Sequence, residues 1–345
     1  MFLSTNDYTL LFFTSFSIVS ALTPLMRKLA LKYEVIDTPN ESHKTHKDPI
    51  PYLGGVAIVI GVTLVTYGAT LLSDFSRSTF WLASSVIFPA LVMAVIGLID
   101  DIKRLSPWSR FLVQNAIGIC SAAVLVKTNT VGSPTGSLVF DIGISILWVV
   151  GLTNAINFFD NLDGGASGTV AISSGFLFLI AYQNQQILIA AMALVLAGST
   201  IGFLIWNRPP ARIYMGDAGA LFLGLLLASL TIRIEPNPIN KWASFAMPIF
   251  LVAVPILDTS VVVVKRIARG VSPFQGGRDH LSHRLMRLGL TKKQAVVSLW
   301  LLTFFFCALT FVISNSSYEK EGLVTGSGIV AWVFLFIFFA KQRDL

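Results

Sequence analysis

Long apolar runs alternate with short polar ones along the whole chain. Runs near the length that crosses a bilayer as a helix, about 17–25 predominantly apolar residues, fall at 8–26, 53–73, 79–99, 110–126, 136–153, 165–182, 187–205, 218–232, 242–264, 295–314 and 323–340. The pattern predicts an all-α, polytopic membrane helix bundle of about 11 transmembrane helices. The run at 218–232 is short and opens among Ala218, Gly219 and Ala220, which predicts a half-buried helix ending at a site.

Basic residues set the expected orientation, because Lys and Arg stay on the cytoplasmic side. With the N-terminus out and the C-terminus in, 20 of the 25 Lys and Arg lie in inner segments, and only Arg77, Lys127, Arg233, Lys241 and Lys320 lie outside. The inner loops are then 27–52, 100–109, 154–164, 206–217 and 265–294, within one transmembrane catalytic domain over 1–345. The first span has no basic n-region and no obvious small-residue cleavage site, and Arg27 and Lys28 follow it, so an uncleaved anchor is expected.

Composition agrees: 54% of residues are hydrophobic and 12% charged, with a mean hydropathy of +0.74. A soluble domain carries roughly 25% charged residues. The formal charge of +7 would suit nucleic acid if it lay on a soluble surface; with most basic residues in inner segments, part of it is expected to set topology and part to meet phosphate instead. Cys120 and Cys307 both lie in apolar spans, so no disulfide framework is expected.

Polar chemistry gathers at span ends on the inner face. Asp100 and Asp101 close the third span, with Lys103 and Arg104 just beyond, a mixture suited to metal and phosphate together. After the fifth span comes Thr153-Asn-Ala-Ile-Asn-Phe-Phe-Asp-Asn-Leu-Asp-Gly-Gly165. Asn154, Asn157 and Asp160 recur at intervals of three, which places oxygen ligands on one helical face, and Gly164 and Gly165 allow backbone to approach a ligand. Asp217 stands between Gly216 and Ala218-Gly219 at a helix start, and Asp258 lies inside the ninth span, where an ionisable group points to function. Hard oxygen donors beside Lys and Arg suit Mg²⁺ shared with phosphate. The largest inner loop holds Arg278, His280, His283 and Arg284 beside Gly276-Gly277, donors for a diphosphate. His280 and His283 lack the third ligand that zinc requires. A second basic loop, His43-Lys-Thr-His-Lys47, offers His46 to phosphate.

In this order the motifs resemble the polyprenyl-phosphate N-acetylhexosamine-1-phosphate transferases, glycosyltransferase family 4. The resemblance runs from Asp37-Thr-Pro39 and His46 through Gly54-Gly55, Asp100-Asp101, Asn154 to Gly164, Gly216-Asp217, Pro255 to Asp258, and Arg278 to His283. It implies transfer of a sugar 1-phosphate, N-acetylhexosamine 1-phosphate in the branch favoured, from a UDP-sugar to polyprenyl phosphate with release of UMP. It further implies Mg²⁺ or Mn²⁺, a multi-pass protein of the bacterial inner membrane, and an active site on its cytoplasmic face. The expected partners are the UDP-sugar, the polyprenyl phosphate and membrane lipid, with a homodimer as a further expectation and no nucleic acid. The peptidoglycan branch, which transfers phospho-N-acetylmuramoyl-pentapeptide, usually shows three successive histidines where this chain has His-Leu-Ser-His. Arg104 stands where a third Asp is frequent, and Ser282 where a histidine is frequent. A transporter is the competing class, but it would need ionisable groups at mid-membrane and repeat symmetry, and only Asp258 is embedded.

The expected roles follow. Asp217 and Asn157 hold Mg²⁺ at the diphosphate, Asp100 positions the lipid phosphate or takes its remaining proton, and Asp101 supports the metal or Lys103. By the resemblance, Asp160, Asp163, Asn207 and Tyr214 line the uridine end, while Arg278, His280 and His283 hold phosphates or the sugar. His46, Lys103 and Asn154 complete the expected substrate contacts.

Overall fold

A computed structural model describes residues 3–37, 49–72, 77–103, 105–128, 135–235, 240–273 and 277–342. Local signals set the helix ends. Ser4 and Asp7 form a capping box at the start of α1 (Thr5–Lys32), and Thr291 with Gln294 forms another before α12 (Lys292–Ser314); each satisfies orphan amides of the first turn. Between them run α2 (Gly54–Leu72), α3 (Arg77–Lys103), α4 (Pro107–Lys127), α5 (Leu138–Phe159), α6 (Gly165–Gln183), α7 (Ile187–Asn207) and α8 (Gly216–Thr231). Then come α9 (Lys241–Leu251), α10 (Ala253–Ala268) and the short α11 (Leu281–Arg287), and α13 (Tyr318–Lys341) ends the chain. Strands β1 (Ile36–Asp37) and β2 (Ile50–Pro51) pair antiparallel, Ile36 with Pro51 and Asp37 with Ile50. His46 lies outside the described residues.

Nine described helices are long and apolar enough to cross a membrane, and their outward faces are greasy: Leu72, Val139 and Leu147 are 91%, 77% and 75% exposed. Such surface is stable only against lipid. The short α8 forms the centre of the bundle. Every residue of it except Asp217 is buried, and α2, α3, α5 and α6 pack around it. At 16 residues it is about 24 Å long, less than the hydrocarbon thickness, and its neighbours rather than lipid cover it. Close packing relies on glycine. A side chain at Gly55 would run into Gly219 of α8, and a Cβ at Gly97 would lie 2.5 Å from the Asp217 backbone.

One expected span is broken. The run at 242–264 forms two helices, α9 and α10, at 78° to each other, hinged at Val252 (φ −126°, ψ 25°). Pro255, in the first turn of α10, has no N–H for the carbonyl four residues back and its ring crowds that carbonyl. The freed Leu251 oxygen accepts from Ser173 Oγ at 2.6 Å and from Cys307 Sγ at 3.5 Å, and Trp332 Nε1 donates to Ala253 O at 3.1 Å. Neighbouring helices thus satisfy backbone that lipid could not.

Candidate active site

The carboxylates singled out above converge where α3, α4, α5 and α8 meet. Gly216, at φ +68°, turns the chain into α8, and the carboxylate of Asp101 closes over the helix start. Asp101 accepts from Asp217 N at 2.9 Å and Ala218 N at 3.1 Å, two of the four amides a helix N-terminus leaves free, with the helix dipole adding to the attraction. Asp101 therefore acts on the backbone that carries Asp217; of the two partners expected for it, the metal or Lys103, Lys103 lies exposed.

Asp217 is held on both oxygens. Asn157 Nδ2 donates to Oδ1 at 2.8 Å and Arg110 Nη1 to Oδ2 at 3.1 Å. The same Arg110 nitrogen lies 2.8 Å from Asp100 Oδ2, and Leu105 N donates to Asp100 Oδ1 at 2.8 Å. One guanidinium thus joins Asp100 and Asp217. Sequence reasoning counted Arg110 only as a topological charge; its place one turn into α4, ten residues after Asp100, was the available signal. Asn154 turns to its own helix, donating to Val150 O at 2.9 Å.

Beside this cluster, α5 ends at Phe159 and Asp160 leaves the helix. Burial, then the Asp101 and Asp163 carboxylates, push the Asp160 carboxyl up to about 7. Asp163 accepts from Ala211 N at 3.0 Å and from the Tyr214 hydroxyl at 3.4 Å. Burial first, then the nearby carboxylates, raises the Tyr214 phenol, so it stays a donor. Its ring lies 6.1 Å from that of Tyr52. The 51–55 segment is zipped to this loop by Tyr214 N to Pro51 O at 2.9 Å, Gly54 N to Tyr214 O at 3.0 Å and Gly55 N to Met215 O at 2.9 Å. Asn207 is 2% exposed: Gly164 N and Ser167 Oγ donate to its Oδ1 at 3.0 and 2.9 Å, and its Nδ2 donates to Ile213 O at 3.0 Å. Expected at the uridine end, Asn207 here braces the loop that runs on to Tyr214.

The basic loop divides into braces and presented groups. Arg266 clamps Asp279 through two bonds of 2.8 and 2.7 Å. Burial alone would raise the Asp279 carboxyl, but Arg266 more than offsets it and holds it down at about 2. Arg284, named above among phosphate donors, is fully buried and instead donates to Asp279 O, Phe339 O and Gln342 O, fastening the end of α13. Arg278 is exposed. His280 and His283 stand with ring centroids 6.0 Å apart; burial, then the charges of His280 and nearby arginines, lowers His283 to about 4, against a pull upward from Asp258. Asp258 pairs with His280 at 2.7 Å. Ser282 Oγ donates to Asn161 Oδ1 at 2.5 Å, tying this loop to the one that carries Asp160 and Asp163.

Comparison with known proteins places this geometry. A family model described as "Glycosyl transferase family 4" matches residues 83–235, which contain the cluster from Asp100 to Asp217. A Bacillus subtilis (strain 168) protein named "Probable undecaprenyl-phosphate N-acetylglucosaminyl 1-phosphate transferase" is 32% identical over 333 residues, 95% of this chain and 87% of its own. The chain belongs to glycosyl transferase family 4. A second family relative, the decaprenyl-phosphate N-acetylglucosaminephosphotransferase of Mycobacterium leprae, is 31% identical over 93% of this chain and 88% of its own. A phospho-N-acetylmuramoyl-pentapeptide-transferase of Streptococcus mutans is 29% identical over 78% and 85%. The resemblance read from the ordered motifs is thereby borne out, and the family's shared region is the one that builds the carboxylate cluster.

Proposed function

We propose that this protein transfers N-acetylhexosamine 1-phosphate from a UDP-sugar to polyprenyl phosphate, giving the polyprenyl diphosphate sugar and UMP. The observation that carries the reading is the Asp100–Arg110–Asp217–Asn157 cluster at one end of a membrane bundle, in a chain about 30% identical to relatives named for that reaction. The distribution of basic residues supports a cytoplasmic site in a bacterial plasma membrane, with the N-terminus out and the C-terminus in.

A polyprenyl phosphate has a second pKa near 6, so at neutral pH it is largely a dianion and needs little help from a base. The barrier is the approach of that dianion to an anionic diphosphate, and positioning and charge lower it. Asp100, tied to Leu105 and Arg110, is fixed to orient the acceptor phosphate or take its remaining proton. Asp160, Asp163 and Tyr214 face the nucleotide, with the Tyr214 hydroxyl still protonated to donate. Arg278, His280 and His283 stand on a loop docked against them.

The donor set also fits a divalent cation. Among the described residues, no three His, Cys, Asp or Glu side chains are grouped to hold a metal ion, and Mg²⁺ needs only one or two protein carboxylates because it keeps positions open for substrate oxygens and water. Asp217 and the Asn157 amide oxygen, with Asp100 beside them, would hold Mg²⁺ or Mn²⁺. Bound there, the cation supplies neutralisation of the charge that develops on the leaving UMP.

The test incubates the purified protein in nanodiscs with UDP-[³H]GlcNAc and undecaprenyl phosphate, with and without Mg²⁺. UMP and a labelled lipid are expected only with the cation. Labelled lipid from UDP-N-acetylmuramoyl-pentapeptide alone would assign the chain to the peptidoglycan branch, and no UMP from any UDP-N-acetylhexosamine would refute the function.

A further inference from the structure

Asp258 is fully buried in α10, and a bare carboxylate at that depth would be strongly unfavourable. Two donors compensate it. Leu281 N, the first amide of α11, donates to Oδ1 at 2.6 Å, and Oδ2 lies 2.7 Å from His280 Nδ1. A peptide N–H can only donate, so Oδ1 is committed and the carboxylate cannot swivel. An ionised carboxylate can only accept, so the proton of the imidazole must sit on Nδ1 and Nε2 is the ring atom left for a ligand. His280 is 8% exposed. One residue beyond Leu281, Ser282 is bonded to Asn161, so α11 is pinned on one side to α10 and on the other to the loop of Asp160 and Asp163. The ring therefore has a set tautomer and a set place next to the nucleotide-facing carboxylates.

We propose that Asp258 is a positioning residue for His280: it keeps the proton on Nδ1, presents Nε2 to the diphosphate of the donor, and balances the ring's charge when Nε2–H donates to a phosphate oxygen. The proposal rests on the reaction assigned above. Its chemistry does not need a proton transfer to substrate; the doubly protonated ring, paired with a carboxylate behind, is a charge-assisted donor ahead.

The isosteric Asp258→Asn variant separates this role from a structural one. Leu281 N still needs an acceptor, so the Asn oxygen stays with it and the amide nitrogen turns to His280. That NH₂ donates to Nδ1, forcing the opposite tautomer and blocking the second proton. The ring keeps its shape and an Nε2–H but loses its charge. The chain has only four histidines, so ¹⁵N-histidine spectra in nanodiscs resolve His280, assigned through His280→Gln.

In the wild type, His280 is expected with its proton on Nδ1, shifting to the doubly protonated form as UDP is added. In Asp258→Asn the proton moves to Nε2, UDP no longer protonates the ring, and kcat/KM for the UDP-sugar falls at least tenfold, the scale of a charged against a neutral hydrogen bond. The double variant with His280→Gln should lose no more than His280→Gln alone. An Nε2–H tautomer in the wild type, a ring indifferent to UDP, near-wild-type turnover of Asp258→Asn, or additive losses would each overturn the proposal. The wild-type titration needs neither turnover nor the variant, so it decides the point even if Asp258→Asn fails to fold. Absence of UMP release by the wild type would count against the reaction instead.

Discussion

Replacing Asp101 with asparagine tests whether this residue acts on the backbone of α8 or on the ligand. In the wild type its two oxygens receive two amides, Asp217 N at 2.9 Å and Ala218 N at 3.1 Å. Asparagine has one acceptor oxygen, so its NH₂ must face the second amide, donor against donor. The loss is one hydrogen bond to a charged group, roughly 1.5–3 kcal/mol, plus about 0.3–1 kcal/mol of interaction with the helix dipole. The total, about 2–4 kcal/mol, falls on the turn that carries Asp217. The expected outcome is a fall in thermal midpoint in nanodiscs by roughly 5 °C or more, together with a large loss of turnover, because a shift near 1 Å at a reacting group costs about a hundredfold. Asp101→Ala, which leaves both amides without an acceptor, should be less stable still. The reasoning is refuted if Asp101→Asn loses activity while melting with the wild type, since the carboxylate would then act on metal or substrate and not on α8.

Asp217→Asn should abolish turnover and leave the protein folded in detergent by size-exclusion profile, and near-normal activity would remove Asp217 from the reaction. Gly97→Ala places a Cβ 2.5 Å from the Asp217 backbone, so α3 and α8 must part and turnover should fall at least tenfold. Gly151→Ala in α5, where a Cβ meets nothing within 4 Å, should be neutral or slightly stabilising in the same activity and melting assays. His283, lowered to about 4 from 6.5, binds its proton more weakly in the folded state. It contributes stability that is complete above about pH 6.5 and is lost as pH falls toward 4, on the order of 3 kcal/mol. Thermal midpoints should therefore decline over that window in the wild type and less steeply in His283→Gln.

The spans were legible because lipid demands a run of apolar residues, and that demand is written locally. The break at Val252 was harder to see, since both halves of 242–264 are apolar and only Pro248 and Pro255, on either side of the hinge, mark it locally. The cluster was legible as a set of carboxylates but not as a network. Arg110 meets Asp217 across 107 positions and Arg284 meets Phe339 across 55, and no spacing rule reports such pairs. For the same reason, charge alone did not separate Arg266 and Arg284, which brace the fold, from Arg278, which lies exposed. Asn207 shows the converse: it belongs to a motif read as nucleotide contact, yet both ends of its amide hold the loop in shape.

The charge balance of the site gives this division of labour its sense. One guanidinium, Arg110, stands among Asp100, Asp101 and Asp217, so the cluster carries an excess of negative charge when all three carboxylates are ionised. A phosphate entering within about 4 Å of one uncompensated carboxylate would be repelled by roughly 4 kcal/mol at a surface-like dielectric. Asp160 shows the same pressure: burial and the neighbouring Asp101 and Asp163 carboxylates push its carboxyl up to about 7, so near neutrality it sheds part of its own charge. The two anionic substrates proposed above would not gather in such a place on the strength of Arg110 alone. In the proposed reading, a divalent cation held by Asp217 and Asn157, together with His280 and Arg278 of the basic loop, would reverse the sign of the field that the phosphates meet. Arg110, bonded to Asp100 at 2.8 Å, would then keep that carboxylate in the position proposed for the acceptor.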